Sequence, residues 1–547
     1  MDLETSQQPV LDYWTTLYSI LCKRTSSINL TIDYKWTALS NTTIGTLMAS
    51  LDTNIIIIAL PTIVSDIHVS LLTLVWIVLG YWLVTASILL NLGRLSDMFG
   101  RVKLYNMGFI VFTIGSALCS LSQTGEQLLL FRVVQSLGAA FLFSNSAAII
   151  TDAFPENERG KALGLNQISI VIGSVMGLIF GGFLTSYLGW RSIFWINIPI
   201  GIFATIWSYT KLHELGTTKK EKIDFIGNAT LAIGLFLILI GITFGSFQIL
   251  TSIPFEMHLF IVGGLSLIAL FVFVERNVIK PMIDLSLFKL KSFLGGNIAI
   301  FFNSIARGAF TLIMTFYLQG PTMKLSPLAA GIYLLPVSIA LSIFGPLSGW
   351  ISDRYGSRVI SPIGLFVSAI GFLILTSLGT KSTFIETLLP LALIGAGMGI
   401  FASPNRASIM NAVPRSQRGV AAGTSTMFVL SGSTLSLGLA FLIMSHTMPL
   451  NYAESIFLGT VETTTKTKDN INESSNNIND KNQNRNDNNN GKITAIHSTT
   501  ILKDFLASLH YVFLLSAILM FISIIPSWIR VGNVNNNDNQ PTYNKFS

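Results

Sequence analysis

A charged motif occurs twice in this chain, and each copy lies between two long apolar segments. The first copy, GRLSDMFGR, spans Gly93–Arg101, and the second copy, GWISDRYGSR, spans Gly349–Arg358. A second pair has a similar spacing, because the Pro-x3-Arg-Gly segment that starts at Pro155 is repeated from Pro414. Motifs that recur in the same order, each followed by a long apolar run, indicate a duplicated bundle of membrane helices.

Fourteen apolar stretches are long enough to cross a bilayer, which takes about 20 helical residues. Hydrophobic residues make up 51% of the 547 positions and charged residues only 11%, which leaves too little polar surface for a soluble globular protein of this size. The spans are predicted near 41–66, 74–92, 104–123, 126–153, 162–187, 191–210, 224–247, 257–275, 294–318, 328–350, 359–379, 384–411, 419–447 and 505–529.

The repeated motifs divide these spans into six, two and six. They follow the second and the fourth span of each six-span set, so the middle pair is an insertion between two related bundles. The sequence therefore predicts an all-α integral membrane protein with an N-terminal tail (1–40), a six-helix bundle (41–211), two linker helices with flanking loops (212–293), a second six-helix bundle (294–530) and a polar C-terminal tail (531–547). An Asn-rich loop of about 449–503 is predicted to be disordered and external.

Lysine and arginine residues are concentrated on one side of the predicted bundle. The loops that carry the repeated motifs are rich in both, whereas the other side holds only Arg191, Lys324 and Lys381 before the Asn-rich loop. The positive-inside rule places the motif-bearing loops in the cytoplasm, and an even number of spans then places both termini there. We expect a plasma-membrane protein. The net charge of +7 follows from this bias, so no nucleic-acid partner is expected.

The chain lacks the common sequence patterns of enzymes and of cofactor sites. It contains no Gly-x4-Gly-Lys-Ser/Thr phosphate loop, no His-Glu-x2-His helix and no Gly-x-Ser-x-Gly nucleophile elbow. Its two cysteines, Cys22 and Cys119, are too few for a metal cluster. We expect no enzyme activity, no cofactor and no metal, and transport would have to be driven by a gradient of ions or of substrate.

Asp52 is the candidate residue for proton coupling. It lies about a dozen residues into the first span, where an ionised carboxylate costs about 2.5–3.5 kcal/mol on insertion scales. Such an acid can bind and release a proton as its access to water changes. Arg132 in the fourth span is its predicted partner, with Gln135 one turn further along the same face. The alternative is that Asp52 and Arg132 only connect helices through hydrogen bonds.

The repeated motif is a candidate for conformational gating. Its glycines permit a tight reversal of the chain, and Asp97 is expected at the positive end of a neighbouring helix or paired with an arginine of the other half. A contact that exists only when one side is closed would set the energy difference between outward-open and inward-open states. The positive-inside bias alone would explain Arg101. The predicted gating residues are Gly93, Asp97, Gly100 and Arg101, with Gly349, Asp353, Gly356 and Arg358 in the second copy.

Four glycines form a stripe along the fifth span. Gly173, Gly177 and Gly181 recur every four residues, and Gly182 is adjacent, so a partner helix can approach closely. Ordinary helix packing without a role in coupling would produce the same pattern.

Polar residues within the spans are candidates to line a central cavity. They are Asn145, Asn303, Arg307 and Tyr333. Hydrogen bonds between helices would also account for polar residues at such positions. Arg307 would repel cations, so it faces away from the cavity, it is paired, or the substrate is not a simple cation.

Five segments in order resemble the major facilitator superfamily, and in particular its fourteen-span drug:proton antiporter branch. GRLSDMFGR is similar to motif A of the superfamily, and LDTNIIIIALP (51–61) resembles the first-helix signature of the branch. The other three are FRVVQSLGAA (131–140), GSVMGLIFGGFL (173–184) and WRSIFWINIPIG (190–201), which resemble motifs of the fourth, fifth and sixth helices. This resemblance covers residues from about 40 to 530. It implies the major facilitator fold and a monomer.

Three positions depart from the family pattern. Ser136 replaces a glycine with another small residue, and Ile57 replaces a polar asparagine. Leu178 stands where a proline normally follows Gly177 in the antiporter motif. Leu178 therefore leaves the direction and the coupling of transport open.

The combined prediction is proton-coupled efflux of small lipophilic or amphipathic compounds by alternating access. The expected partners are a small-molecule substrate, protons and the lipid bilayer. Because the tenth and thirteenth spans contain no acid, the resemblance favours monovalent or neutral substrates over divalent cations. One alternative is proton-coupled or facilitated uptake of a metabolite. An alternative of another class is a membrane sensor or lipid-handling protein that keeps the fold without cycling.

Overall fold

The computed structural model describes residues 33–155, 158–215, 225–251, 257–277, 285–380, 382–414, 417–457 and 483–529. Within these ranges the protein is helical and contains no β-strand. The helices of the first half are α1 (Tyr34–Ile67), α2 (Leu71–Phe99), α3 (Arg101–Leu121), α4 (Gly125–Ala153), α5 (Arg159–Leu188), α6 (Ser192–Trp195) and α7 (Asn197–Lys211).

A pair of helices and a second set follow along the chain. The pair consists of α8 (Phe225–Thr251) and α9 (Met257–Asn277), and a 3-10 turn at Leu285–Lys289 leads into the second half. The second half contains α10 (Lys291–Arg307), α11 (Phe310–Gln319), α12 (Pro327–Tyr355), α13 (Ser357–Leu375), α14 (Phe384–Ala412), α15 (Arg418–Thr447), α16 (Leu450–Phe457) and α17 (Gln483–Trp528).

Thirteen helical segments of the described residues are long and apolar enough to cross a membrane. Two of these segments combine two helices each, namely α6 with α7 and α10 with α11. The predicted seventh span corresponds to α8, in which Ala229–Ile242 forms a shorter apolar segment. The count of fourteen spans therefore remains a prediction.

The helices within each half pack in the same arrangement. In the first half α1 packs on α5, while α2 and α3 pack on α4. In the second half α10 packs on α15, while α12 and α13 pack on α14. Helices α8 and α9 pack on each other, and α8 also contacts α2 and α15. The predicted all-α fold of two helical bundles with an inserted pair is confirmed.

The two copies of the charged motif form the same chain reversal. Gly100 ends α2 with a φ angle of 106°, and Gly356 ends α12 with a φ angle of 82°. Residues with a side chain rarely adopt this left-handed backbone, so glycine is favoured at both turns. We call the side of the bundle that carries these turns the motif end and the opposite side the distal end.

Two predicted boundaries differ from the structure. Helix α1 begins at Tyr34 instead of near 41, because Leu39 is buried with Ile150 and Phe154 and extends the packed part of the helix. The loop predicted as disordered at 449–503 contains α16 and the start of α17. Elongation of an existing helix adds one hydrogen bond per residue, which favours extension of the last span into polar sequence. The predicted tails 1–32 and 531–547 and the loop residues 458–482 lie outside the described residues.

Candidate functional site

A buried ion pair joins α1 and α4 in the centre of the first half. Asp52 and Arg132 are 0% and 1% exposed, and Arg132 Nη1 donates a hydrogen bond to Asp52 Oδ2 at 2.5 Å. Gln135, one turn further along α4, donates from Nε2 to Asp52 Oδ1 at 2.8 Å. The structure thus brings together the three residues that were predicted from the sequence.

Two further polar residues complete this network. Asn197 at the start of α7 donates from Nδ2 to Asp52 Oδ1 at 3.0 Å, so the carboxylate accepts three side-chain hydrogen bonds. Ser116 of α3 accepts a hydrogen bond from Gln135 Nε2 at 2.7 Å. Sequence reasoning missed both residues, although Asn197 is a polar side chain within the apolar WRSIFWINIPIG segment.

The Tyr81 ring and helix α3 pack against this network. The Arg132 guanidinium lies 4.3 Å from the centroid of the Tyr81 ring, a distance suitable for a cation–π interaction. A Cβ atom at Gly115 of α3 would lie only 2.6 Å from the Cα atom of Gln135. Gly115 therefore allows α3 to approach α4 and keeps Gln135 within reach of Asp52.

Because the ion pair is shielded from water, a change in either charge is costly. Removing one charge from a buried pair leaves the other uncompensated and costs about 3–5 kcal/mol. Protonation of Asp52 would likewise leave the guanidinium of Arg132 without a counter-charge. Loss of the negative charge at Asp52 would therefore require water or another group to compensate Arg132, which means a rearrangement around α1 and α4.

The first copy of the charged motif contacts acidic side chains of its own half. Arg101 Nη1 lies 2.6 Å and 2.7 Å from the two carboxylate oxygens of Asp152 in α4. The carboxylate of Glu214, just after α7, accepts hydrogen bonds from the backbone N–H groups of Arg101 at 2.6 Å and Val102 at 3.0 Å. Glu214 therefore caps the start of α3. Sequence reasoning missed Asp152 and Glu214.

Asp97 and Gly93 are two further predicted residues of the first copy, for which no gating contact is described. The side chain of Asp97 lies outside the described side chains, so its predicted pairing remains a prediction. No described atom lies within 4 Å of a Cβ atom built at Gly93.

The second copy of the motif uses neutral partners. A Cβ atom at Gly349 would lie 2.8 Å from Ser403 Oγ of α14, so α12 and α14 approach closely there. Arg358 Nε donates to the backbone carbonyl of Trp528 at 3.1 Å, and the side chain of Asp353 is exposed. The two copies thus share a backbone reversal but differ in their side-chain contacts.

The glycine stripe of α5 faces two different neighbours. Cβ atoms at Gly173, Gly177 and Gly181 would lie 2.6 Å, 2.8 Å and 2.9 Å from backbone carbonyl oxygens of α1. A Cβ atom at Gly182 would instead lie 2.8 Å from the Cα atom of Leu328 in α12. Three glycines therefore hold α5 on the helix that carries Asp52, and the fourth touches the other half.

The two halves meet at the distal end. The carbonyl oxygen of Leu178 lies 2.6 Å from a Cβ atom built at Gly331, and the backbone N–H of Leu328 donates to Ser186 Oγ at 3.2 Å. We call these residues, together with Gly182, the distal seal. Leu178, which replaces the proline of the family pattern, is thus part of the contact between the halves.

A side-chain hydrogen bond strengthens the same contact. Gln319 Nε2 at the end of α11 donates to the carbonyl oxygen of Ile58 in α1 at 2.9 Å. The described conformation is therefore closed at the distal end.

Three of the four predicted cavity residues make contacts between or within helices. Asn145 donates to the carbonyl oxygen of Phe141 at 2.8 Å, Asn303 lies 3.4 Å from Met520 Sδ, and the Tyr333 ring packs edge-on against Phe384. The fourth residue, Arg307, is partly buried and has no acidic partner among the described side chains. Arg406 in α14 is likewise partly buried and has no acidic partner among the described side chains.

Curated relatives of this chain are transporters. Riboflavin transporter RibZ of Clostridioides difficile (strain 630) is 32% identical over 422 residues, which cover 76% of this chain and 90% of the relative. Multidrug transporter protein MdtP of Bacillus subtilis (strain 168) is 28% identical over 403 residues, which cover 74% of each protein. These relatives confirm the expectation of a transporter and not an enzyme.

Solved structures share the fold. An auto-inhibited peptide transporter of the POT family superposes with a TM-score of 0.61 at 13% identity, over 93% of this chain and 99% of the other. The sequence profile of the Major Facilitator Superfamily matches residues 42–437, and the chain therefore belongs to this superfamily of multi-pass membrane transporters.

Proposed function

We propose that the protein exports small lipophilic or amphipathic compounds in exchange for protons, as a member of the fourteen-span drug:proton antiporter branch. The observation that carries the proposal is the carboxylate of Asp52, which three side-chain donors hold in the centre of the first half. The similarity to a multidrug transporter supports this class of substrate. The motif end would face the cytoplasm of a plasma-membrane protein, with both termini on that side.

Alternating access would connect the two sites described above. In the described conformation the distal seal separates Asp52 from the distal side. Rocking of the two halves would break this seal, admit water from outside and allow a proton to reach Asp52. Closure of the distal seal and opening of the motif end would then allow the proton to leave for the cytoplasm, and its release would restore the pair with Arg132 that the present conformation contains.

Dye transport into inverted membrane vesicles tests the proposal. We expect the protein to drive accumulation of a lipophilic dye, and a protonophore to abolish this accumulation. Asp52→Asn should reduce accumulation at least about tenfold, because an amide cannot carry the proton. Asp66→Asn is the matched control, since Asp66 lies on the same helix but pairs with Arg191 at the distal end.

Two outcomes would contradict the proposal. Protonophore-sensitive transport by Asp52→Asn at the level of the unchanged protein would exclude Asp52 as the proton carrier. Dye movement that is insensitive to protonophore in both proteins would exclude proton coupling.

A second candidate function is uptake of a metabolite. It is favoured by the 32% identity to a riboflavin transporter and by Leu178 in the place of the antiporter proline. Uptake of labelled riboflavin by whole cells distinguishes the two functions. Concentrative uptake that requires this protein would favour import, whereas lower cellular dye content in its presence would favour export.

A further inference from the structure

Away from its distal edge, the membrane-spanning part of the second half carries positive charge only. Arg307 and Arg406 are the arginines within its six predicted spans, which contain no lysine. The single acid of these spans is Glu386, whose carboxylate accepts a hydrogen bond from the backbone N–H of Thr383 at the distal start of α14. The first half is different, because Asp52 balances Arg132 there. Charges within the membrane usually pair, so the two arginines require a partner.

Helical periodicity locates Arg307 on the side of α10 that faces α14. Gly296 precedes Arg307 by eleven residues, which is about three helical turns, so the two residues lie on the same side of α10. A Cβ atom at Gly296 would lie 2.5 Å from the side chain of Ile409 in α14. Asn405 of α14 also donates to the carbonyl oxygen of Gly296 at 3.2 Å. Arg307 is the last residue of α10, and the partial negative charge of the helix end offsets only part of its full charge.

Arg406 lies between the sides of α14 that contact α10 and α12. The preceding residue, Asn405, contacts α10, and Ser403 contacts α12 at Gly349. Ala402, one turn before Arg406, lies between the same two sides and is exposed. The described residues therefore leave this side of α14, between α10 and α12, uncovered next to Arg406.

We infer that the transported substrate is an organic anion, whose negatively charged groups, such as carboxylates, sulfonates or phosphates, bind Arg406 and Arg307. This inference rests on the proposed export function and defines its substrate more closely. Arginine is suited to this role because its planar guanidinium binds such groups through two parallel hydrogen bonds. Arg406 lies about 9 Å from the motif end of α14 and Arg307 about 24 Å from the start of α10, as estimated from helix rise. An anion that enters from the motif end would therefore meet Arg406 first.

Binding of two dyes of opposite charge tests the inference. Fluorescein is negatively charged and rhodamine 123 is positively charged, and both contain a xanthene ring system. We would measure the fluorescence anisotropy of each dye with the purified full-length protein in phosphatidylcholine nanodiscs, which contain no anionic lipid. We expect fluorescein to bind at least about tenfold more tightly than rhodamine 123.

Variants then assign the site. Arg307→Gln and Arg406→Gln should each weaken fluorescein binding about tenfold or more, whereas Arg307→Lys should retain part of it because it keeps the charge. Arg276→Gln is the control, since Arg276 is an exposed arginine at the end of α9. A melting curve for each variant shows whether the fold is retained.

Several results would overturn the inference: tighter binding of rhodamine 123, no binding of fluorescein, or unchanged fluorescein binding in both glutamine variants. Measuring export of both dyes distinguishes a failure of this inference from a failure of the proposed function. Proton-driven export of rhodamine 123 but not of fluorescein would leave the export function intact and exclude the anion. Arginine-dependent fluorescein binding without protonophore-sensitive export would support the anion site and contradict the proton-coupled exporter.

Discussion

At the scale of single residues, the chemistry of Asp52 on α1 depends on groups that come from three other helices. Arg132 and Gln135 come from α4, Asn197 comes from α7, and Ser116 of α3 holds Gln135 in place. Together these donors surround both oxygens of the carboxylate in a site without water-exposed surface. A proton carrier of this kind works only if another conformation weakens these hydrogen bonds.

The ion pair makes a testable contribution to stability. Arg132→Met should lower the free energy of unfolding by about 3–5 kcal/mol, because the carboxylate of Asp52 loses its counter-charge in a buried site. The double variant Asp52→Asn/Arg132→Met should regain most of this loss, since it removes both charges. Thermal melting of the unchanged protein, of Asp52→Asn, of Arg132→Met and of the double variant in one detergent measures the effect. Losses that simply add in the double variant would show that the pair is not coupled.

Gly115 offers a second test at the same scale. Gly115→Ala should destabilise the protein by about 1–3 kcal/mol, because the added methyl group would collide with the backbone of Gln135. Gly164→Ala is the matched control, since no described atom lies within 4 Å of its Cβ position. Alanine there should be neutral or stabilising by up to about 1 kcal/mol. Equal melting temperatures of the two variants would contradict the tight packing at Gly115.

At the scale of the helices, Glu214 determines how α3 begins. Its carboxylate satisfies two backbone N–H groups that have no partner within the helix, and it lies at the positive end of the helix dipole. The left-handed backbone of Gly100 places these N–H groups next to Glu214. The charged motif therefore does more than reverse the chain, because it also joins α3 to the segment that follows α7.

Removal of this cap should be measurable. Glu214→Ala should destabilise the start of α3 by about 1–2 kcal/mol, while Glu214→Gln should cost less because it keeps an acceptor oxygen. Hydrogen exchange of the backbone amides of Arg101 and Val102 reports the effect directly. Unchanged exchange at these two amides in Glu214→Ala would show that the carboxylate does not cap the helix.

At the scale of the whole molecule, the distal seal joins the two halves that would separate in the proposed transport cycle. Ser186 and Leu328 are in hydrogen-bond contact across this seal. Cysteines at both positions, in a background without Cys22 and Cys119, should therefore form a disulfide on oxidation. We expect the oxidised protein to lose transport at least about tenfold, because the distal end cannot open, and a reductant to restore it.

Single-cysteine variants at Ser186 and Leu328 are the controls for this experiment. They should transport equally well before and after oxidation. Full transport by the cross-linked double variant would show that opening of this seal is not part of the cycle.

The sequence by itself determined the membrane location of the helices and the duplicated architecture, and it made Arg132 the candidate partner of Asp52. These features follow from local properties, because apolar length defines a span and a charge inside a span needs a partner. Helix ends were less predictable, since burial of Leu39 extends α1 beyond its apolar core.

Only the tertiary structure decided which distant residues complete each site. Asn197 reaches Asp52 across 145 residues, and Glu214 caps α3 across 113 residues. Gly181 and Gly182 are neighbours in sequence, yet one faces α1 and the other faces the second half. Such contacts depend on the rotation and depth of each helix within the bundle, which are set by the packing of all its neighbours and not by the local sequence.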